Sequence, residues 1–412
     1  MISWRMPKQP DILEGKGSSF VVEGAALRQV LGGASAVKLS RGSSIFLDML
    51  RFGAACTVLL SHLSIPGISS GLPNLARAGH LAVGVFFVLS GFVIRYVTLT
   101  RERSPRRYLI DRVSRMYSVI VPALVLTVLC EYLASLFPYY YALGGHPMQW
   151  SKVPFQLAAN LTFQAQDWGY EIRPLSNAPF WSLSFECFYY AIYGIAFYRV
   201  RGSRFLCFLL LLVAGPSIAL MLLVWLLGCF AFDGYLRLRR NQSGLLISSG
   251  FLAGMLLLLF SARGRFRELL LYVDEQHRTD WLSRLMLQVP HHELFFVGGR
   301  VPWLAYATPS FYVVGVVTAV VTIWSLLLID HLRMDVGTVV TGWFRLLADS
   351  TFTLYLVHVP ILILVVSVLG KPIRGWWFSF AIFCLTICIG VLLSMPFDTL
   401  KRNMRSRMEK LR

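Results

Sequence analysis

The chain has 412 residues, of which 56% are hydrophobic and only 15% are charged, and its formal net charge is +18. Soluble domains average about 25% charged residues. The composition therefore excludes a disordered chain, a collagen and a small disulfide scaffold, and it disfavours a soluble enzyme. So much positive charge indicates nucleic-acid binding in a soluble protein, but cytoplasmic loops in a membrane protein. We expect a polytopic membrane protein that binds no nucleic acid.

Ten stretches of the chain are candidates for transmembrane helices, which need about 20 mainly apolar residues. They cover 45–64, 79–97, 116–137, 181–198, 205–214, 216–232, 244–262, 303–329, 350–369 and 376–397. The fifth stretch is short and is followed by Gly215 and Pro216, so the fifth and sixth form either a tight hairpin or one broken span. The predicted fold is an all-α polytopic membrane helix bundle of about ten transmembrane helices.

The distribution of Lys and Arg predicts that both termini are cytoplasmic, because cytoplasmic loops are enriched in these residues. In that orientation 26 of the 39 Lys and Arg lie in inner segments. The chain then divides into a mobile cytoplasmic leader over 1–44, a membrane domain over 45–397 and a basic cytoplasmic tail over 398–412. The leader lacks the apolar core and cleavage site of a signal peptide. The two long outer loops are 138–180 and 263–302.

All seven cysteines fall within the apolar stretches, so no disulfide framework is expected. Cys384 and Cys388 lie one helical turn apart, but no histidine or carboxylate accompanies them. We therefore interpret them as small core residues and expect no metal ion.

Six ionisable residues of the apolar stretches are candidates for a functional role. A charged side chain there costs roughly 2.5–3.5 kcal/mol to insert, so each is a functional candidate. These residues are Asp48, Arg51, His62, Arg95, Glu186 and His358. Glu131, Asp349 and Asp398 lie near the ends of their stretches, where they reach water, and are discounted.

The first predicted helix places Arg51 and His62 on one face, because eleven steps of about 100° make nearly three turns. They are separated by roughly 16 Å along the axis. Asp48 lies three residues before Arg51, a spacing that permits an ion pair, so these two are as readily structural as functional. Glu186 enters from the outer side at a depth comparable with His62, and a carboxylate there is a candidate to orient the imidazole. For His358, a ligand contact and a core histidine both remain open.

Arg112 and Arg115 lie three residues apart at the inner start of the third predicted helix, so they share a face. Guanidinium groups bind phosphate bidentately through their planar forks. The pair is therefore a candidate phosphate site, whereas control of topology accounts for most of the charge of the inner loop 98–115.

Five segments in order resemble motifs of the acyltransferase family 3 membrane proteins. Residues 47–62 resemble the Arg-x10-His helix of the family, and residues 84–92, which include Ser90, resemble its Ser-Gly-Phe stretch. Arg112 and Arg115 match its Arg-x-x-Arg motif. Later landmarks of the family are matched by residues 181–186, which include Trp181, Ser184 and Glu186, and by residues 355–360, which include His358.

The resemblance implies transfer of an acyl group, most often acetyl, from cytoplasmic acyl-CoA to a hydroxyl of an extracytoplasmic glycan or glycolipid. It implies a bacterial cytoplasmic (inner) membrane, with membrane lipid as a further partner. Arg51, Arg112 and Arg115 would hold the donor, and His62 would act as the base with Glu186 orienting it, or would carry the acyl group itself. Ser184 and a backbone amide are both candidates to stabilise the oxyanion. The remaining matched or neighbouring residues are substrate-binding or structural: Asp48, Ser90, Trp181, Ser184 and His358.

A transporter or flippase for a polysaccharide precursor or a small solute is the rival interpretation, because intramembrane charges on one helix face also suit an ion path. Paired broken helices in corresponding halves, which are typical of such transporters, are not evident in the sequence. A structural partner of a polysaccharide synthase leaves the alignment of Arg51 with His62 unexplained. The sequence does not specify the acceptor, the acyl group or the oligomeric state.

Overall fold

The computed structural model describes residues 38–101, 104–169, 171–241, 243–261, 308–334 and 337–410. Most of the predicted leader, the predicted outer loop 263–302 and the first residues of the eighth predicted span lie outside these ranges. The described residues form twelve α-helices: α1 (Arg41–Leu63), α2 (Ala76–Thr100), α3 (Pro105–Ala134), α4 (Pro138–Ala142), α5 (Val153–Leu161), α6 (Trp181–Phe197), α7 (Ser203–Ala214), α8 (Pro216–Arg240), α9 (Gly244–Ser261), α10 (Pro309–His331), α11 (Thr338–Leu369) and α12 (Trp376–Lys410).

Each of the ten predicted spans coincides with one of these helices. Seven of the described helices are long and apolar enough to cross a membrane: α1, α2, α3, α8, α10, α11 and α12. Helices α7 and α9 are shorter and apolar, and α6 has 17 residues. The chain is therefore an all-α polytopic membrane protein, as predicted from its composition.

The fifth and sixth predicted spans form the hairpin rather than one broken span. Cys207 of α7 and Leu222 of α8 line the same cleft, so the two helices fold back on each other. Gly215 makes the turn with φ of 83°, a backbone conformation that glycine adopts without steric cost. Pro216 then occupies the first turn of α8, where a missing backbone N–H costs nothing.

Three helices extend furthest beyond their apolar stretches. Helix α3 begins at Pro105 rather than at 116, because Ser104 caps it: the Ser104 hydroxyl accepts from the Arg107 backbone N–H at 3.3 Å. Helix α11 begins at Thr338 rather than at 350, and α12 continues from 397 to Lys410. The predicted basic tail is therefore largely a helical continuation of α12. Hydropathy marks only the part of a helix that contacts lipid, whereas the backbone hydrogen bonds continue into polar sequence.

A two-residue strand pair joins two turns at the ends of the spans. Ser69–Ser70 (β1), after α1, pairs in parallel with Ile373–Arg374 (β2), between α11 and α12. The pairing ties the end of α1 that carries His62 to the end of α11.

Helix α2 packs closely against α8 through two glycines. A Cβ atom added to Gly91 would lie 2.0 Å from the Trp225 carbonyl oxygen, and one added to Gly228 would lie 1.9 Å from the Val88 carbonyl oxygen. Small residues allow such backbone contact between membrane helices. Gly91 belongs to the Ser-Gly-Phe stretch, so this packing explains why that stretch has a glycine at this position.

We expect Gly91→Ala to destabilise the protein by about 1–3 kcal/mol, because the added methyl group must displace the backbone of α8. Thermal unfolding in detergent, followed by size-exclusion fluorescence, measures the effect. Gly254→Ala is the matched control, since nothing described lies within 4 Å of the added Cβ atom there. Equal melting temperatures for the two variants would refute this account of the α2–α8 contact.

Candidate functional site

Two cavities lie one above the other along α1 and α11. The inner cavity is narrow, about 70 Å³, and its polar lining includes Arg51, Ser90, Arg115, Ser182, Glu186 and Tyr190. The outer cavity is about 690 Å³, and its polar lining includes His62, Glu131, Lys152, Gln156, Arg173 and Ser176. Helix α1 contributes Arg51 to the first and His62 to the second, so the predicted helix face connects the two cavities.

A hydrogen-bonded cluster around Glu186 forms one wall of the inner cavity. Ser90 Oγ donates to Glu186 Oε1 at 2.7 Å, and the Tyr190 hydroxyl donates to the same oxygen. Trp225 Nε1 donates in turn to Ser90 Oγ at 3.2 Å. Sequence reasoning missed Tyr190 and Trp225, although Tyr190 follows Glu186 by four residues and so shares its helix face.

Three arginines stand on the cytoplasmic side of this cluster, by the predicted orientation. Arg51 and Arg115 line the inner cavity itself. The Arg112 guanidinium lies over the rings of Tyr108 and Tyr190, 5.5 and 5.7 Å from their centres. Stacking on aromatic faces fixes the position of a guanidinium group. The structure thus places Arg51 and Arg115 in the lining of one cavity and Arg112 against Tyr190, which also lines it.

Glu186 does not orient His62, contrary to the expectation from depth. Helix α6 begins well inside the protein, because the segment before it is anchored there: Asn177 Nδ2 donates to the Leu356 carbonyl oxygen at 2.8 Å, in the middle of α11. The segment preceding α6 is therefore buried rather than placed at the outer boundary. Glu186, one and a half turns further on, consequently shares the inner cavity with Arg51. Sequence fixes the distance from the start of a helix but not the depth of that start.

The partner of His62 is His358. His62 Nδ1 lies 3.0 Å from the Val58 carbonyl oxygen and 3.2 Å from His358 Nε2. His358 Nδ1 lies 3.1 Å from the Leu354 carbonyl oxygen. Carbonyl oxygens only accept, so in the neutral rings both Nδ1 atoms carry the proton, and His358 Nε2 accepts from His62. Nε2 is then the nitrogen of His62 that keeps its lone pair, on a residue that lines the outer cavity.

Tyr355 stands at the boundary between the cavities. It lines the inner one, and its ring lies edge-on to Phe86 with 5.8 Å between the centres. Its hydroxyl is hydrogen-bonded to Ser182 Oγ at 2.9 Å. The candidate Ser184, by contrast, is buried and lines neither cavity, so Ser182 is the serine of this motif that faces the inner cavity. Trp181 packs in the aromatic core, 5.2 Å from Phe185.

The outer cavity is lined by buried polar side chains. Glu131 is only 5% exposed and accepts hydrogen bonds from the Tyr140 hydroxyl, at 2.6 Å, and from Ser176 Oγ. Burial and this carboxylate raise the pKa of Tyr140, so the phenol remains a donor. Gln156 is 3% exposed, and its Oε1 accepts no hydrogen bond from any described residue. Discounting Glu131 as a water-facing residue was therefore wrong: the loop that carries Tyr140 and Ser176 covers it.

Arg95 belongs to a different group, away from both cavities. Its Nε and Nη2 donate to Asp233 Oδ1 and Oδ2, each at 3.0 Å, which makes a bidentate ion pair between α2 and α8. The guanidinium also lies 5.9 Å from the centre of the Phe197 ring. This geometry gives Arg95 a structural partner. Asp48 lies on the inner side, within electrostatic reach of Arg51, Asp349 and Arg345.

The two cavities have complementary chemistry. The inner one offers cationic groups to an anionic ligand, and the outer one offers an imidazole base beside hydrogen-bonding side chains. A base in one cavity and cations in the other suit the joining of two substrates that enter from opposite ends.

Comparison with known proteins identifies the family. The acyltransferase domain of family 3 matches residues 44–395. No curated protein and no solved structure matches the chain. The match covers most of the chain, including α1 with His62, α3 with its arginines and α11 with His358. The protein is therefore an integral membrane acyltransferase that belongs to acyltransferase family 3.

Proposed function

We propose that the protein moves an acyl group, acetyl in the first instance, from cytoplasmic acyl-CoA to a hydroxyl of an extracytoplasmic glycan or glycolipid. We propose a bacterial cytoplasmic (inner) membrane as its location. The observation that carries the proposal is the arrangement along α1, with Arg51 in the cationic inner cavity and His62 in the polar outer cavity.

On the donor side, the anionic phosphates of CoA suit the group formed by Arg51, Arg112 and Arg115. Guanidinium groups form short, charge-assisted bonds to phosphate oxygens. An extended pantetheine arm would then follow α1 over the roughly 16 Å between Arg51 and His62. Tyr355 lies on that path, so the thioester passes its ring to reach His62.

On the acceptor side, the outer cavity suits a ligand with several hydroxyl groups. Its volume, about 690 Å³, lies in the range of about 300–1,000 Å³ usual for small-ligand sites. The unused Gln156 Oε1 accepts from a hydroxyl, and Lys152 and Arg173 donate to ring or hydroxyl oxygens. Buried polar groups need such partners.

The chemical step follows from the tautomer of His62. Its Nε2 takes the proton of the acceptor hydroxyl while the hydroxyl oxygen attacks the thioester carbonyl carbon. The C–O bond forms, the C–S bond breaks, and the CoA thiolate leaves. The thiolate then recovers the proton from the imidazolium ring, which returns His62 to its neutral form. His358 Nε2, at 3.2 Å from His62 Nδ1, stabilises the imidazolium by accepting a hydrogen bond from its Nδ1–H.

We expect His358→Phe to lower kcat about 10- to 100-fold with little change in KM for the donor. The reason is that a hydrogen bond to a charged group contributes about 1.5–3 kcal/mol. His358→Gln retains an acceptor oxygen and is expected to recover part of the rate. Melting temperatures of both variants separate this positioning role from a loss of fold. Equal kcat for His358→Phe and His358→Gln, both folded, would show that accepting from His62 is irrelevant.

The proposed function is tested on surface glycan from a host with and without the gene. NMR of the purified glycan should show O-acetyl signals in the parent that are absent from the deletion strain and restored by the wild-type gene. If the deletion strain exports its glycan normally but without acyl groups, the result supports an enzyme. If the deletion strain acylates its glycan normally but does not export it, the result would favour the transporter.

A further inference from the structure

The cytoplasmic extension of α12 lies against the start of α3. Arg405 Nε pairs with Asp111 Oδ1 at 3.2 Å. Arg106 Nη2 donates to the carbonyl oxygens of Met408 and Glu409, at 3.3 and 3.4 Å. Charged contacts from two successive turns of α3 thus hold this part of α12 in place, although the sequence presents it only as a basic tail.

The register of this contact determines what faces Arg115. Helices α3 and α12 run in opposite directions here, since early residues of α3 meet late residues of α12. One turn from Asp111 along α3 is Arg115, and one turn back from Arg405 along α12 is Lys401. Accordingly, Arg112 and Arg115 both act electrostatically on the Lys401 ammonium group.

Basic and acidic side chains of the described residues meet at this position, where Asp48 acts on Arg51 and Arg115, and Glu186 acts on Arg51. Lys401, Arg112 and Arg115 converge from two helices, and Arg51 acts on Asp349 from above. The carboxylates that act on Lys401 are Asp349 and Asp398, the latter at 3.8 Å. Holding like charges together costs free energy unless an anion lies among them. A ligand with more than one phosphate offsets that repulsion, and Arg115 of this group also lines the inner cavity.

We propose that Lys401 binds a phosphate of the acyl donor together with Arg112 and Arg115, so that the extension of α12 forms part of the donor site. This inference rests on the proposed function and adds to it a residue from the C-terminal helix. Lys401 supplies a mobile point charge beside two rigid guanidinium forks. The donor it selects is therefore a diphosphate-containing thioester rather than a thioester of a simple thiol.

Calorimetric titration of acetyl-CoA into the purified full chain in detergent tests the proposal. We expect Lys401→Gln to raise Kd about three- to tenfold and to reduce its dependence on salt, because one charge contact is lost. Lys401→Arg should bind like the wild type. Lys410→Gln, which removes the same charge from an exposed position on the same helix, is the matched control. Lys401→Met gives the same readout if Lys401→Gln is not recovered intact.

The outcomes distinguish this inference from the function on which it rests. Weaker binding for Lys401→Gln alone, with Lys410→Gln and Lys401→Arg unchanged, supports it. Unchanged binding for Lys401→Gln while Arg115→Gln binds weakly overturns the role of Lys401 and leaves the donor site standing. Wild-type protein that binds no acetyl-CoA would overturn both.

Discussion

Replacing His62 by alanine is expected to abolish acyl transfer while the protein still inserts and folds. General bases contribute about 10²–10⁴-fold to rate, and His62 lines the outer cavity, as does His146. The alanine also removes the group to which His358 is bonded, without adding volume. The measurement is incorporation of the acyl group into acceptor by purified protein, normalised to the folded fraction from size-exclusion chromatography.

His331→Ala is the control for His62→Ala. His331 ends α10 at an exposed position, so its loss should leave the rate unchanged. Wild-type turnover by His62→Ala would remove the base from the mechanism. A stable acyl adduct on His62 in the wild type, trapped and located by mass spectrometry, would replace the general-base route by an acyl-histidine route.

The largest effect on stability is expected at Arg95. Its side chain is 3% exposed and that of Asp233 is 12% exposed, so Arg95→Ala leaves a buried carboxylate without its partner. Removing one member of a buried pair costs about 3–5 kcal/mol. Replacing both by leucine should recover much of this loss, because an apolar pair has no uncompensated charge. Thermal unfolding in detergent ranks the stabilities of the wild type, Arg95→Ala and the double leucine variant.

Arg239→Ala is the comparison for Arg95→Ala. Arg239 pairs with Asp330 at 3.1 Å, but its side chain is 33% exposed, so water and salt screen the pair. Its loss should lower the melting temperature less. Equal melting temperatures for the two alanine variants would show that the buried pair does not hold α2 against α8. A double leucine variant that is less stable than Arg95→Ala would show the same.

Transmembrane helices were predictable from the sequence because a bilayer requires about 20 apolar residues for each span. Their ends were less predictable: Ser104 begins α3 and the polar end of α12 remains helical, and neither feature appears in hydropathy. Pairs on one helix were also predictable. Arg51 and His62, like Arg112 and Arg115, are related by helical periodicity alone.

Contacts between helices were not predictable in the same way. His62 meets His358, and Glu186 meets Ser90, because of where α6 and α11 start relative to α1. That offset depends on anchors such as Asn177, which lie in loops. The position of Lys401 near Arg115 follows only from the register of α12 against α3. The local sequence of one helix does not determine these contacts with other helices.

The central claim is that acyl groups cross from a cytoplasmic donor to an outer acceptor through the region of His62. Inside-out membrane vesicles that contain the acceptor, supplied externally with acetyl-CoA labelled in the acetyl group, test it most directly. We predict that label becomes covalently attached to lumenal glycan with the wild-type protein and not with His62→Ala. Lumenal glycan that stays unlabelled while acetyl-CoA is bound, or a solute that moves without any transfer of label, would contradict the account.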